Sequence, residues 1–359
     1  MNAFREFQEL YHAIISQKKF LEGFIMKILH IVPEFQEGGV ERYVVQLSHE
    51  QVNAGHDVIL ATSGGKLESL LPENVQVIHL PVHRKNLFTI IYSAHKLAGL
   101  HDINIIHAHS RVPAWIAWRI SSLKKISWLM TAHAPYSLNA GLLPLRHADG
   151  VICVSEAVEH ELAKYLPKNS LTIPNGIRKP KFTWDKKYFP ERSKFLYVGY
   201  LSKRKGLNVA IEALGRLKSY EWTLDVLGDG THREELESLV KELGISKRVK
   251  FYGFRDDAEE FMSRASCLLF PSYQEGLPLT VNEALAVGLP VLASDIEPLR
   301  PLALGALIPA GDVNAWTEAI KSVLEGKAAS PLSVSKLITF EETAKRTEDF
   351  YRKILENKS

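Results

Sequence analysis

Sulfur is scarce in this chain: 359 residues hold only two cysteines, Cys153 and Cys267. Both lie inside apolar runs, Val-Ile-Cys-Val and Cys-Leu-Leu-Phe, so buried reduced thiols are expected and a disulfide framework or zinc-cysteine site is excluded by count. No stretch approaches the ~18 apolar residues of a membrane-spanning helix. A secretory leader is not expected either, because Lys18 and Lys19 interrupt the first apolar stretch and no small-residue cleavage site follows. Charge of one sign is also lacking. The 44 basic and 41 acidic residues leave +3, which offers no electrostatic footprint for nucleic acid. The P-loop, the Gly-x-Ser-x-Gly elbow and the His-Glu-x-x-His helix are all absent. What is present is an ordinary cytoplasmic globular composition, 46% hydrophobic and 24% charged, at a length that suits two domains.

The hydrophobic pattern divides the chain. Residues 1–25 place Phe4, Phe7, Leu10, Tyr11, Ile14 and Ile15 at helical spacing, which predicts an amphipathic extension able to lie on a membrane surface or on a domain flank. From residue 26 to 178, strands alternate with helices. The strands are Ile28–Val32, His56–Ala61, Val75–Leu80, Ile103–His107, Ser127–Thr131, Val151–Val154 and Leu171–Ile173, and the helices Val40–Ala54, Leu87–Leu97, Pro113–Ser122 and Glu156–Tyr165. A basic connector with two prolines, 179–194, follows. The alternation restarts at Phe195 and runs to 337, with strands at Thr223–Leu227, Val249–Tyr252, Cys267–Phe270, Val291–Ala293 and Ala306–Ile308. Residues 338–359 carry a last helix. Strands apolar on both faces and separated by helices predict doubly wound parallel sheets; the fold class is α/β, two Rossmann-like halves facing across a cleft.

The strongest local signal is Glu275-Gly-Leu-Pro-Leu-Thr-Val-Asn-Glu283. Two carboxylates stand eight residues apart across a Gly-Pro loop that leaves a strand and opens a helix, the usual ligand position of an open parallel sheet. Carboxylates only accept hydrogen bonds, so they suit a hydroxyl-rich partner such as a sugar or ribose. Thr280-Val-Asn-Glu283 also spells a capping box, but Glu275 has no such structural task. The amides after Gly276, with Leu277, would sit at a helix N-terminus suited to an anion. Gly199-Tyr-Leu-Ser-Lys-Arg-Lys205-Gly206 sets cations, Arg204 and Lys205 among them, after another strand. Gly228-Asp229-Gly230 and Gly253-Phe254 end two more with glycines, where a backbone can approach a flat ring. In the first half, Gly38-Gly39-Val-Glu41-Arg42 opens the first helix without the spacing of a dinucleotide fingerprint. His107-Ala-His109 and Thr131-Ala-His133 end strands on one sheet edge. His133 is the better functional candidate; His30 and His79, inside strand patterns, are expected in the core. His-Ala-His hints at metal, but no further ligand spacing completes a site.

In this order, these pieces resemble the family 4 glycosyltransferases, retaining enzymes of the two-Rossmann GT-B fold. The likeness spans residue 27 to about 355 and rests on Gly38-Gly39-Val-Glu41, Ile106-His-Ala-His109, Thr131-Ala-His133, Val154-Ser155, Ile173-Pro-Asn175-Gly176, Val198-Gly199, Lys205-Gly206, Leu227-Gly-Asp-Gly230 and Pro271-Ser…Glu275…Glu283-Ala. The resemblance implies a nucleoside-diphosphate sugar of UDP or GDP type as co-substrate, and no other cofactor. Glu275 would bind hydroxyls of the donor sugar and Glu283 the ribose. Lys205, Gly39 and the amides after Gly276 would hold the diphosphate, and His133 would lie near the reacting carbon. It also implies front-face attack, in which the departing phosphate takes the acceptor's proton, and a C-terminal helix that crosses back to the first half. No Asp-x-Asp occurs, so the leaving diphosphate is expected to be met by Lys, Arg and helix dipoles rather than a bound metal. Two positions depart from the pattern: Tyr200 stands where many members carry Arg, and Arg178 stands where they carry Asp.

The expected function is transfer of a hexose-type sugar to a glycan or lipid-linked acceptor of a surface polysaccharide or lipopolysaccharide. His83-Arg-Lys-Asn-Leu-Phe88, Trp115 and Trp118 are candidates for peripheral contact with the inner membrane's cytoplasmic face; simple packing is the alternative for the two tryptophans. Tyr200 motivates a competing reading, a non-catalytic sugar-nucleotide-binding scaffold. Retention of Glu275, Glu283, Lys205 and His133 argues against it. An epimerase or phosphorylase of the same fold fits less well.

Overall fold

A computed structural model of the chain describes residues 24–36, 38–134, 136–184, 193–302, 307–326 and 338–358. All but the last two residues of the expected amphipathic extension, and residues 185–192 of the connector, lie outside that set. The first half is a seven-stranded parallel sheet in the order β3-β2-β1-β4-β5-β6-β7. Its strands are β1 Lys27–Ile31, β2 Asp57–Thr62, β3 Gln76–His79, β4 Ile105–Ala108, β5 Ser127–Ala132, β6 Gly150–Cys153 and β7 Ser170–Thr172. Helices α1 Gly39–Asn53, α2 Leu87–Ala98, α3 Arg111–Lys124 and α4 Glu156–Leu162 cover its faces. The second half is a five-stranded parallel sheet, β10-β9-β8-β11-β12, built from β8 Ser193–Val198, β9 Trp222–Leu227, β10 Val249–Gly253, β11 Cys267–Phe270 and β12 Val291–Ala293. Around it lie α5 Leu207–Arg216, α6 Arg233–Glu242, α7 Ala258–Arg264, α8 Leu279–Val287 and α9 Val313–Leu324.

In both sheets the chain starts in the middle, winds outward one way and then returns to wind the other. The reversal leaves a crevice at the carboxyl ends of the central strands, β1 and β4 in one half and β8 and β11 in the other. The central strands are buried on both faces, as their unbroken apolar runs require. Both cysteines are free and buried.

The last helix, α10 Phe340–Glu356, packs on the first half. Its Phe350, Tyr351 and Ile354 are at most 3% exposed and join a cluster with Met26, Ile105, Leu129 and Ile152. Full burial of such side chains stabilises by roughly 1.5–3 kcal/mol each, which is ample to seat the helix. Gly150 permits the approach, since a Cβ there would lie 2.7 Å from Phe350 and Ile354. The connector begins on the second half: Trp184 donates from its backbone to Val287 and from its indole to Ala265.

Three expectations fail locally. Of the expected strand Ala306–Ile308, Ala306 lies outside the described residues, Leu307 is not in a strand, and Ile308 makes only an isolated bridge to Ser294. His79 is not a core residue, because β3 is the sheet's edge and its ring is exposed against Glu68 at 3.0 Å. The capping box at Thr280 does not form, because α8 starts earlier: Pro278 is the N-cap and no side chain caps the helix.

Candidate functional site

The loops at the carboxyl ends of the two sheets meet across the crevice. From the second half, β11 runs into Pro271-Ser272 and then the Glu275 loop, while β8 runs through Gly199-Tyr200 to the short turn Lys203–Lys205. Gly206 joins that turn to α5 with φ +64, and a Cβ there would lie 2.2 Å from the Pro271 carbonyl oxygen. Only glycine satisfies both the left-handed backbone and the close approach. The consequence is a contact between distant sequence motifs. Lys205 Nζ lies 2.6 Å from Glu275 Oε1, with side chains 18% and 8% exposed. Ammonium and carboxylate at this distance, largely withdrawn from water, form a strong charge-assisted bond. Arg204 is exposed and makes no ion pair among the described residues. Tyr200 is 56% exposed.

Gly276 is the point where the halves touch. A Cβ there would sit 2.3 Å from the His133 carbonyl oxygen, and Ser155 Oγ donates to the Gly276 carbonyl at 2.8 Å. The Leu277 side chain packs on the core of the first half. Gly39 faces the same loop region, its Cβ position 3.3 Å from Leu279. Beside Glu275 a cavity of about 640 Å³ opens between Tyr273 and Gln274 on one side and Ala157, Val158 and Glu161 of α4 on the other.

Glu283 lies on α8 with its own surface open to solvent, yet protein from both halves surrounds it at longer range. That low-polarity surround pushes its carboxyl upward, and the Arg42 charge pulls the other way. Arg42 reaches across from α1, its guanidinium 5.4 Å from the centroid of the Phe254 ring. Gly253, with φ +73, turns β10 out towards that ring. Sequence reading passed over Arg42, although its place beside Gly38-Gly39 was a signal. Glu41, folded against Gly38, is pushed up to about 7, chiefly by burial.

The histidines were underestimated more seriously. In the parallel register His30 of β1 stands opposite His107 of β4, and His109 follows on the same edge. Ring nitrogens of these three lie within 4.8 Å of one another. The His30 position supplies the third imidazole that spacing alone did not find. Each of the six nitrogens already has a partner, however: His30 binds His109 and Gln51, His107 binds Tyr351 and Thr131, and His109 also binds His133. The group is a hydrogen-bonded array, with no nitrogen lone pair left over for a metal. Burial holds all four imidazoles below their ordinary range, His30 at about 4 and His133 at about 3. Next to His109, Ser110 is held at φ +145, a conformation that costs energy and tends to mark functional edges.

Two family models match the chain. "Glycosyltransferase Family 4" matches residues 37–179 and "Glycosyl transferases group 1" matches residues 179–338. A relative from Escherichia coli, UDP-Gal:alpha-D-GlcNAc-diphosphoundecaprenol alpha-1,3-galactosyltransferase, is 24% identical over 86% of this chain and 90% of its own length. A glycosyltransferase from Rickettsia africae superposes with a TM-score of 0.79 at 20% identity, covering 93% of this chain and 99% of that one. The Anabaena protein HepE, solved with UDP and glucose, superposes with a TM-score of 0.78 at 18% identity, covering 90% and 98%. These two likenesses concern the fold.

Proposed function

The chain belongs to the family 4 type glycosyltransferases of the GT-B fold, and from that premise we propose that it is a retaining hexosyltransferase using a nucleoside-diphosphate sugar of UDP or GDP type. The observation that carries this reading is the Lys205–Glu275 pair, 2.6 Å apart, next to Gly276, where the His133 backbone approaches from the other half. Glu275 turns its acceptor oxygens to the sugar's hydroxyls, and Lys205 supplies positive charge where the diphosphate leaves. Glu283 and Phe254 border the nucleoside. The bond from the anomeric carbon to phosphate oxygen breaks while the acceptor oxygen attacks from the same face, and the acceptor's proton passes to the departing phosphate. Charge stabilisation and positioning then account for the rate, without a bound metal or a protein nucleophile.

A calorimetric panel of UDP, GDP, ADP and their sugar conjugates, run without metal, tests the donor site. One nucleotide should bind clearly, and Glu283→Ala should weaken it by roughly 10- to 100-fold, as expected for lost hydrogen bonds to a charged acceptor. Absence of binding by folded protein would shift the assignment to a non-catalytic relative that has lost the donor site, with the exposed Tyr200 as the first residue to account for it.

The acceptor we propose is a glycan or lipid-linked sugar of a surface polysaccharide, reached at a membrane surface. No described helix is long and apolar enough to cross a membrane. The tryptophans do not serve contact with one, because Trp115 and Trp118 pack on the core and Trp115 donates to Gly141. Instead α2 presents Leu87, Phe88, Ile91 and Tyr92, 68%, 80%, 46% and 43% exposed. Exposed Arg84 and Lys85 lie just before it and Lys96 near its end. An apolar face edged by cations suits an anionic bilayer surface. Sedimentation with anionic vesicles should pellet the wild type, and Phe88→Ser with Ile91→Ser should reduce binding by about tenfold or more. Equal binding by the variant would remove this surface from the proposal.

A further inference from the structure

We propose that Gln51, His30 and His109 are positioning residues that decide which nitrogen of His133 carries its proton, so that His133 meets the donor sugar as a hydrogen-bond acceptor at Nδ1. The inference rests on the donor site proposed above and assigns one of its contacts a direction.

The array runs through the first half as a single chain. Gln51 Oε1 lies 2.8 Å from His30 Nε2, His30 Nδ1 lies 2.9 Å from His109 Nε2, and His109 Nδ1 lies 3.1 Å from His133 Nε2. A neutral imidazole has one N–H and one lone pair. A carbonyl oxygen only accepts, so His30 must donate from Nε2 and accept at Nδ1. His109 must then donate from Nε2 and accept at Nδ1, which requires the N–H of His133 to be on Nε2. Its Nδ1 is left with a bare lone pair, and this atom is buried and has no hydrogen-bond partner among the described residues. Burial keeps the four rings neutral, so no extra proton breaks the sequence.

Two orders of such a chain are self-consistent, and the Gln51 amide selects between them. Turning it over would reverse every bond and place an N–H on His133 Nδ1. In the structure the amide turns its oxygen to His30 and its nitrogen to Tyr351. Gln51 Nε2 donates to the Tyr351 hydroxyl at 3.2 Å, and in this order the hydroxyl gives its own proton to His107 Nδ1 at 2.6 Å. His107 then donates from Nε2 to Thr131 Oγ1 at 2.6 Å. Tyr351 belongs to α10, so the docked C-terminal helix takes part in setting the chemistry of a cleft histidine. An acceptor nitrogen suits a sugar hydroxyl, which always has a proton to give.

The test begins with the ¹⁵N spectrum of histidine-labelled wild-type protein without ligand, His133 being identified by its loss in His133→Gln. The expected signature is a protonated Nε2 and an unprotonated Nδ1; a proton on Nδ1 overturns the inference, and this readout needs no variant of the array. Steady-state kinetics add a second arm. Gln51→Leu removes the director and should lower kcat/KM for the sugar nucleotide by about tenfold while binding of the free nucleoside diphosphate stays within about twofold. Gln51→Glu, which can only accept from His30, should recover activity to within about threefold of the wild type. A Gln51→Leu protein that loses free-nucleotide binding and turnover in parallel would make Gln51 a packing residue and overturn the proposal. A correct tautomer in a protein that binds no sugar nucleotide would instead defeat the donor-site reading and leave the array standing.

Discussion

Lys205→Ala should reduce transfer by about 10²- to 10³-fold, the usual loss when one charge-stabilising group is removed from a reacting centre. Two effects combine. The ammonium that faces the departing diphosphate disappears, and Glu275, 8% exposed, is left without the partner that lies 2.6 Å away. A carboxylate stripped of its counter-charge in such a place is strongly disfavoured, so it is expected to rearrange and lose its orientation towards the sugar. Glu275→Ala should cost a comparable factor in turnover but leave the binding of free nucleoside diphosphate nearly intact, because that ligand lacks the hexose that Glu275 would hold. Combining both changes should cost much less than the product of the separate losses, as contacting residues do. Single-turnover rates and nucleotide calorimetry on the three proteins check this. Wild-type rates from folded Lys205→Ala would remove the pair from the mechanism.

The second large effect is steric. A single Cβ added at Gly276 would lie 2.3 Å from the His133 carbonyl oxygen and 2.7 Å from Ala134 Cα. Both are backbone atoms and cannot rotate away, so Gly276→Ala must move one half of the molecule relative to the other. Misplacing reacting groups by about 1 Å can cost roughly 10²-fold in rate, and a loss of that order in kcat is expected. The melting temperature should shift little, because the cores of the two halves are separate clusters and only side contacts such as Ser155 to Gly276 are strained. Scattering in solution should report a more open particle. If Gly276→Ala turned over normally, the contact seen here would not be the arrangement in which the reaction occurs.

Much of the architecture was legible because it depends on short-range pattern. A strand apolar on both faces, such as Cys267–Phe270, can only be a parallel strand of the sheet interior, and Val313–Leu324 carries its helical period in twelve consecutive residues. Edges were less legible. His79 looked like a core residue because alternation does not say which strand is last in a sheet. The Thr280 box was a local pattern outcompeted by Pro278, which starts α8 two residues sooner.

The spaced glutamates, the glycines at strand ends and the cation run are also local, and composition and spacing alone marked them as candidates for a site. Which of them touch was decided elsewhere. Lys205 meets Glu275 across seventy residues, and His30 completes an array with His109 and His133 because parallel register brings β1 beside β4. Arg42 reaches Phe254 only because the two halves close on each other. The sequence by itself determined the two α/β halves and the chemical types gathered at their facing edges, since hydrophobic period and turn chemistry act over a few residues. Only the tertiary structure decided the ion pair, the direction of the histidine array and the contact at Gly276, because hydrogen bonds and close packing depend on ångström-scale distances between segments that no local pattern records.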